Sequence, residues 1–188
     1  TTVYGMSIHV IGFCFMAFLG LGTATSVRVA EAYGRKNADE VREASRLGIV
    51  AGVIIGVVLG ILVYTFQAPL AGLLVKSEAE VAGVSIRPEL IPLVGFTAFV
   101  IVFDGLQNVA SMALRAQNVI WTPTFIHLGS YFLIMIPATW YFGLYQGGGA
   151  MGMMQGVLIA SMIAGLLQTG LLEMKAARRL RPARRQTV

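Results

Sequence analysis

With 56% hydrophobic and only 12% charged residues among 188, a mean hydropathy of +0.76 and a net charge of +5, the chain is too apolar for a soluble domain. A soluble domain carries about a quarter charged residues. The apolar residues form long runs, not the short alternating segments of a membrane barrel, so the expected fold is an all-α integral membrane protein with five transmembrane helices. Neither a nucleophile–base pair nor a nucleotide motif is present, and the single Cys14 lacks the companions of a metal site, which leaves no enzymatic reading and no cofactor.

The first span is expected from Val3 to Val27. It starts without an initiator Met and without a charged leader, so it does not read as a signal peptide, and the chain reads as a segment of a longer protein. Cys14 reads as a small buried hydrophobe. His9 here, like His127 in the fourth span, reads as a hydrogen-bonded packing residue in preference to a proton relay.

The second span, Leu47 to Phe66, carries Gly48, Gly52, Gly56 and Gly60 at unbroken spacings of four. On a helix these form one smooth ridge that admits a second backbone, so the expectation is helix packing inside the bundle ahead of a dimer interface. The stretch Gln67–Pro88 is expected as the longest loop on its face, with a short helix starting at Ser77-Glu78-Ala79-Glu80.

The third span, Leu90 to Leu114, holds Asp104 about 3 Å along the axis from its midpoint, Val102. Gln107, Asn108, Ser111 and Arg115 follow at i+3, i+4, i+7 and i+11, so the polar residues share one helical face. A carboxylate at that depth costs about 2.5–3.5 kcal/mol by insertion scales and faces a bundle interior or wet cavity. Asp104, Gln107, Asn108 and Ser111 are therefore expected as a cation- or proton-binding set, with Na⁺ at Asp104 as the one metal ion that could bind, ahead of a merely structural acid. Phe99, Phe103 and Met112 are expected to line an adjoining substrate pocket.

The fourth span, Ile120 to Leu144, has Pro123 in its first turn and Pro137 deep inside, where the ring removes a backbone hydrogen bond and serves either as a hinge or as a packing adjustment. Gly147-Gly148-Gly149 makes the turn into the fifth span, Met151 to Leu172. Lys and Arg orient the whole. Arg28, Arg35, Lys36, Arg42, Arg46, Arg115 and the six in the tail from Lys175 onward fall on one face, and only Lys76 and Arg87 on the other. The richer face is expected to be cytoplasmic, which places the C-terminus inside. Residues 1–174 are thus expected as the helical bundle and 175–188 as a basic cytoplasmic tail touching anionic lipid heads, not nucleic acid.

Two stretches carry a family resemblance. Leu19–Gly48 has Gly20, Gly22, Ala24 and Ser26, then Val27-Arg28-Val29, Gly34 and Ala44; residues 103–123 have Asp104, Gln107, Leu114-Arg115 and Pro123; and Tyr131 through Pro137 is aromatic-rich. In their order these features resemble the multidrug and toxic compound extrusion (MATE) transporters. The resemblance covers nearly the whole chain and implies the C-terminal helical lobe of a twelve-helix carrier without that lobe's first helix. One departure is Ala116, where the family usually has Gly after Leu-Arg, which removes a flexible joint from that loop. The resemblance further implies secondary active antiport in a bacterial inner membrane: organic cations or other amphipathic drugs leave while Na⁺ or H⁺ enters. The partners it implies are the lipid bilayer, those drugs and the N-terminal lobe of the same protein. The alternatives are a lipid-linked saccharide flippase of the same superfamily, which calls for more bases than Arg115, and a non-transporting membrane scaffold subunit built on the glycine ridge.

Overall fold

The structure, a computed structural model, describes residues 2–78 and 87–185, and no strand occurs among them. The chain forms α1 (Thr2–Gly34), α2 (Ala38–Thr65), α3 (Gln67–Glu78) and α4 (Arg87–Arg115). The next span, Trp121–Tyr145, is α-helical over Trp121–Gly129 (α5) and Ile136–Thr139 (α6), with wider i→i+5 turns over Ser130–Met135 and Trp140–Tyr145. A last helix, α7, covers Gly149–Arg185. Five helical stretches among the described residues are long and apolar enough to cross a membrane.

The helices outrun their apolar cores because their ends are capped. Lys36 adopts a left-handed φ of 57° after α1, and the Asn37 N–H reaches back to Ala32 O at 3.2 Å, closing the orphan carbonyls of the last turn. Asn37 then caps α2: its side-chain oxygen accepts from Glu40 N at 3.3 Å, with Asp39 and Glu40 in the positive first turn. The end of α4 closes the same way, with Asn118 at φ 59° and Val119 N–H on Leu114 O at 3.1 Å. Ala116 stays in the helical pattern, its N–H on Met112 O at 3.0 Å. The left-handed residue that closes α4 thus lies two residues beyond Ala116, on an asparagine, which tolerates that region.

A second expectation is corrected at α3. The stretch predicted as loop opens with twelve helical residues, Gln67–Glu78, so Ser77 and Glu78 lie in a helix that begins ten residues before the expected one; Ala79 and Glu80 lie outside the described residues. The Leu70 N–H bonds to Phe66 O at 2.9 Å, carrying helical pairing across the junction, and Ala71 is fully buried beside partly buried Leu70 and Leu74. Burial of that short apolar face against α4 outweighs the turn signals that follow it.

Helix α4 is the centre. It packs against α1, α2 and α7, and half of its membrane window is buried, against 6% for Trp121–Tyr145. Two apolar clusters hold it: Phe18, Leu93, Val94, Ile101 and Met154 at one level, and Val29, Val41, Ala113, Leu114 and Leu172 toward the basic end. The glycine ridge of α2 lies in this packing. A Cβ on Gly48 would collide with Thr25 of α1, one on Gly56 would stand 3.2 Å from Val102 Cα, and one on Gly60 3.0 Å from Ala98 O. The ridge is the seat of α1 and α4 on α2. Glycine makes a second close approach where α7 meets the fourth span, since a Cβ on Gly156 would stand 2.6 Å from Thr139 N. Pro137 has no N–H for the carbonyl four residues back, and the widened turns on either side of it absorb the misfit.

Candidate functional site

The polar stripe of α4 opens onto a cavity of about 410 Å³. Asp104, Gln107, Asn108, Ser111, Met112 and Arg115 line it from α4, Phe15 and Leu19 from α1, and His127 and Tyr131 from the fourth span. Helical register explains the first group, because offsets of three, four and seven residues return to one face. Asp104 and Arg115 stand eleven residues apart, about 16 Å along the helix.

Asp104 receives one hydrogen bond from the neighbouring helices: Ser161 Oγ of α7 donates to its Oδ1 at 3.4 Å. One turn on, the Gln107 amide nitrogen meets His127 Nδ1. That His ring stacks on Tyr131, centroids 4.5 Å apart and 28° between planes. The amide oxygens of Gln107 and Asn108 are buried without a hydrogen-bond partner. A buried unpaired acceptor is costly, so two of them beside a carboxylate form an oxygen-rich environment suited to a proton or a hard cation.

Glycines on the flanking helices make room for this group. A Cβ on Gly22 of α1 would stand 2.8 Å from Asn108 Oδ1, and one on Gly165 of α7 would stand 3.3 Å from Phe103 O. Among the described residues no three His, Cys, Asp or Glu side chains gather into a metal-ligand set.

A model of the MatE family matches residues 1–141. The chain belongs to the MATE family. It is 31% identical over 180 residues to a probable multidrug resistance protein NorM of Pseudomonas syringae pv. tomato, covering 94% of this MATE chain and 38% of the relative. A NorM protein of Bradyrhizobium diazoefficiens, also described as a probable multidrug resistance protein, is 34% identical over 165 residues, or 86% of this chain and 34% of that one. The fold matches the inward-facing conformation of a multidrug resistance MATE family transporter of the MOP superfamily, with a TM-score of 0.85 at 17% identity over 95% of this chain and 40% of that one. This MATE chain therefore spans between a third and two-fifths of the length of these relatives. A membrane transporter family, not an enzyme family, is what the chain matches.

Of the site residues expected in the MATE chain, Asp104, Gln107, Asn108, Ser111 and Met112 come together around the cavity. Phe99 and Phe103 do not line it. Phe99 is 55% exposed and pairs with Phe96, ring centroids 6.0 Å apart. At 100° per residue it falls about 140° around the helix from Asp104, and Phe103 about 100°. The aromatic wall comes instead from Phe15, His127 and Tyr131. Sequence reasoning took His127 as packing and gave Tyr131 only a place in a family pattern. Their i, i+4 spacing was the available signal, since it stacks two ring-bearing polar residues on one turn. Ser161 gave none, being a lone hydroxyl in an apolar run.

Proposed function

We propose that this chain forms most of the C-terminal lobe of a secondary active multidrug efflux antiporter, which exports organic cations or other amphipathic compounds in exchange for inward Na⁺ or H⁺. The observation that carries this is Asp104, a carboxylate near the middle of the central helix, set in a cavity with two unpaired amide oxygens. Asp104 takes up the coupling ion, and Gln107, Asn108 and Ser111 either complete its oxygen shell or hydrogen-bond a protonated carboxyl. Binding and release change the charge in a low-dielectric cleft and so bias the lobe between two packings.

The cavity volume lies in the range of drug-sized ligand pockets. Among the described residues that line it Arg115 is the one Lys or Arg, and it stands at the far end of the stripe, which favours cationic ligands over the pyrophosphate of a lipid-linked saccharide. A midplane acid has no use in a scaffold. The protein sits in a bacterial inner membrane as a multi-pass bundle over residues 1–174, with the basic segment 175–188 on the cytoplasmic side by its Lys and Arg. The other lobe of the same protein completes the carrier.

The test is ion-driven dye efflux from proteoliposomes holding a full-length carrier that contains these residues. A Na⁺ gradient and a pH gradient are applied separately, to unsubstituted protein and to Asp104→Asn. Efflux driven by one gradient and lost in the variant names the coupling ion. Efflux that survives Asp104→Asn removes Asp104 from the mechanism, and no efflux under either gradient by folded, inserted protein overturns the antiporter reading.

A further inference from the structure

His127 is held at two points. Its Nδ1 meets the Gln107 amide of α4, and one ring face lies against Tyr131, the next residue on its own helical face. The residue as a whole is exposed, on a span whose membrane window is 6% buried. An imidazole fixed at its edge and backed on one side has lost most of its rotational freedom, so a ligand that stacks on it pays little further ordering entropy. It presents a flat wall in the same cavity as Asp104, while Arg115 stands away at the other end of the stripe.

A flat wall and a carboxylate select for shape as well as charge. The carboxylate attracts any cation. The ring adds attraction only for a ligand that can lie parallel to it, because stacking falls away when rings cannot approach face to face. A tetrapropylammonium ion of equal charge gains the first term, but its alkyl shell cannot stack and keeps the charge away from the ring face, so it gains less of the second.

We propose that His127 is the specificity-determining residue of this cleft, favouring flat aromatic cations over saturated quaternary ammonium ions of the same charge. This rests on the cleft being the drug site of an efflux carrier. The ring acts through its face, and Gln107 and Tyr131 keep that face turned toward the ligand.

The experiment measures binding, not transport, by isothermal titration of the purified full-length carrier in detergent with N-methylacridinium and with tetrapropylammonium. His127→Ala is expected to weaken acridinium binding about five-fold more than tetrapropylammonium binding, the size of one aromatic stacking contact. His127→Phe, which keeps a ring face against Tyr131 but loses the Gln107 contact, is expected to restore part of the preference. Equal weakening of both ligands in His127→Ala, or a His127→Phe protein that behaves like His127→Ala, overturns the proposal and leaves the efflux reading standing. Unsubstituted, folded protein that binds neither ligand overturns both.

Discussion

Arg46, about two and a half turns beyond the Asn37 cap of α2, and Glu173, near the basic end of α7, form a two-pronged ion pair: Arg46 Nε to Glu173 Oε1 at 2.7 Å and Nη2 to Oε2 at 2.9 Å. The two residues are 127 positions apart in sequence, so this contact ties the second span to the last. Both side chains are about half exposed, so water and salt screen the pair and its contribution to stability is small. Glu173→Gln is expected to lower the thermal unfolding temperature in detergent by a few degrees at low salt and by less at high salt. The exchanged pair Arg46→Glu with Glu173→Arg is expected to recover most of that loss. A loss that is the same at every salt concentration would mean the pair is not acting through charge.

The ridge on α2 makes a sharper prediction. A methyl on Gly56 meets Val102 backbone at 3.2 Å, and neither helix can give way without moving the other. Gly56→Ala is expected to destabilise the bundle by about 1–3 kcal/mol, as overpacking does. Gly12→Ala on α1 is the control, because nothing lies within 4 Å of its added methyl. It is expected to leave the unfolding temperature unchanged or to raise it slightly, since alanine is the better helix former. Equal effects of the two substitutions would show that the ridge is not a close-packed seat.

These two cases mark how much the sequence disclosed. The five spans were legible because a membrane helix needs a long apolar run, and the ridge because spacings of four lie on one face. The acid stripe was legible from Asp104 for the same reason: register within one helix is arithmetic. Contacts between helices are not. Nothing in the local sequence of Ser161 says that it faces Asp104, or in that of Phe15 and Leu19 that they close the cavity. Phe99 was misplaced by nearness in sequence to Asp104, which on a helix is a poor guide to nearness in space. The helix α3 was missed because its apolar face is short and earns its stability only by burial against α4.

Gly22 lies at the boundary between packing and function. Its missing side chain lets α1 approach Asn108, and a Cβ there would stand 2.8 Å from the amide oxygen. Gly22→Ala is therefore expected to turn the Asn108 side chain away while leaving the helices in place, because the contact is with the end of a side chain. In the proposed carrier the result is weaker coupling-ion affinity by about ten-fold or more, since small misplacements of a polar group are expensive in such sites. The measurement is the ion concentration for half-maximal efflux, read beside the unfolding temperature. A fall in stability with no change in ion dependence would assign Gly22 to packing alone.

The two halves of the fourth span are attached unequally. Its C-terminal half is pressed onto α7, where Gly152 and Gly156 leave no room for a methyl beside Phe142 O and Thr139 N. Its N-terminal half, α5, carries His127 and has fewer neighbours, and the wide turns of Ser130–Met135 lie between the two. A wide turn holds one residue more than the α-helix requires. Deleting Leu133, an exposed residue in that stretch, is expected to remove the extra residue and restore regular helix there while α5 keeps its register. His127 then stays beside Gln107. Cysteines placed at 107 and 127 in a Cys14→Ala background report this directly. A short bifunctional thiol reagent is expected to join them both in the undeleted chain and once Leu133 is removed. Cross-linking that is lost on the deletion would mean that the wide turn holds no spare residue and that the deletion has turned α5 away from α4.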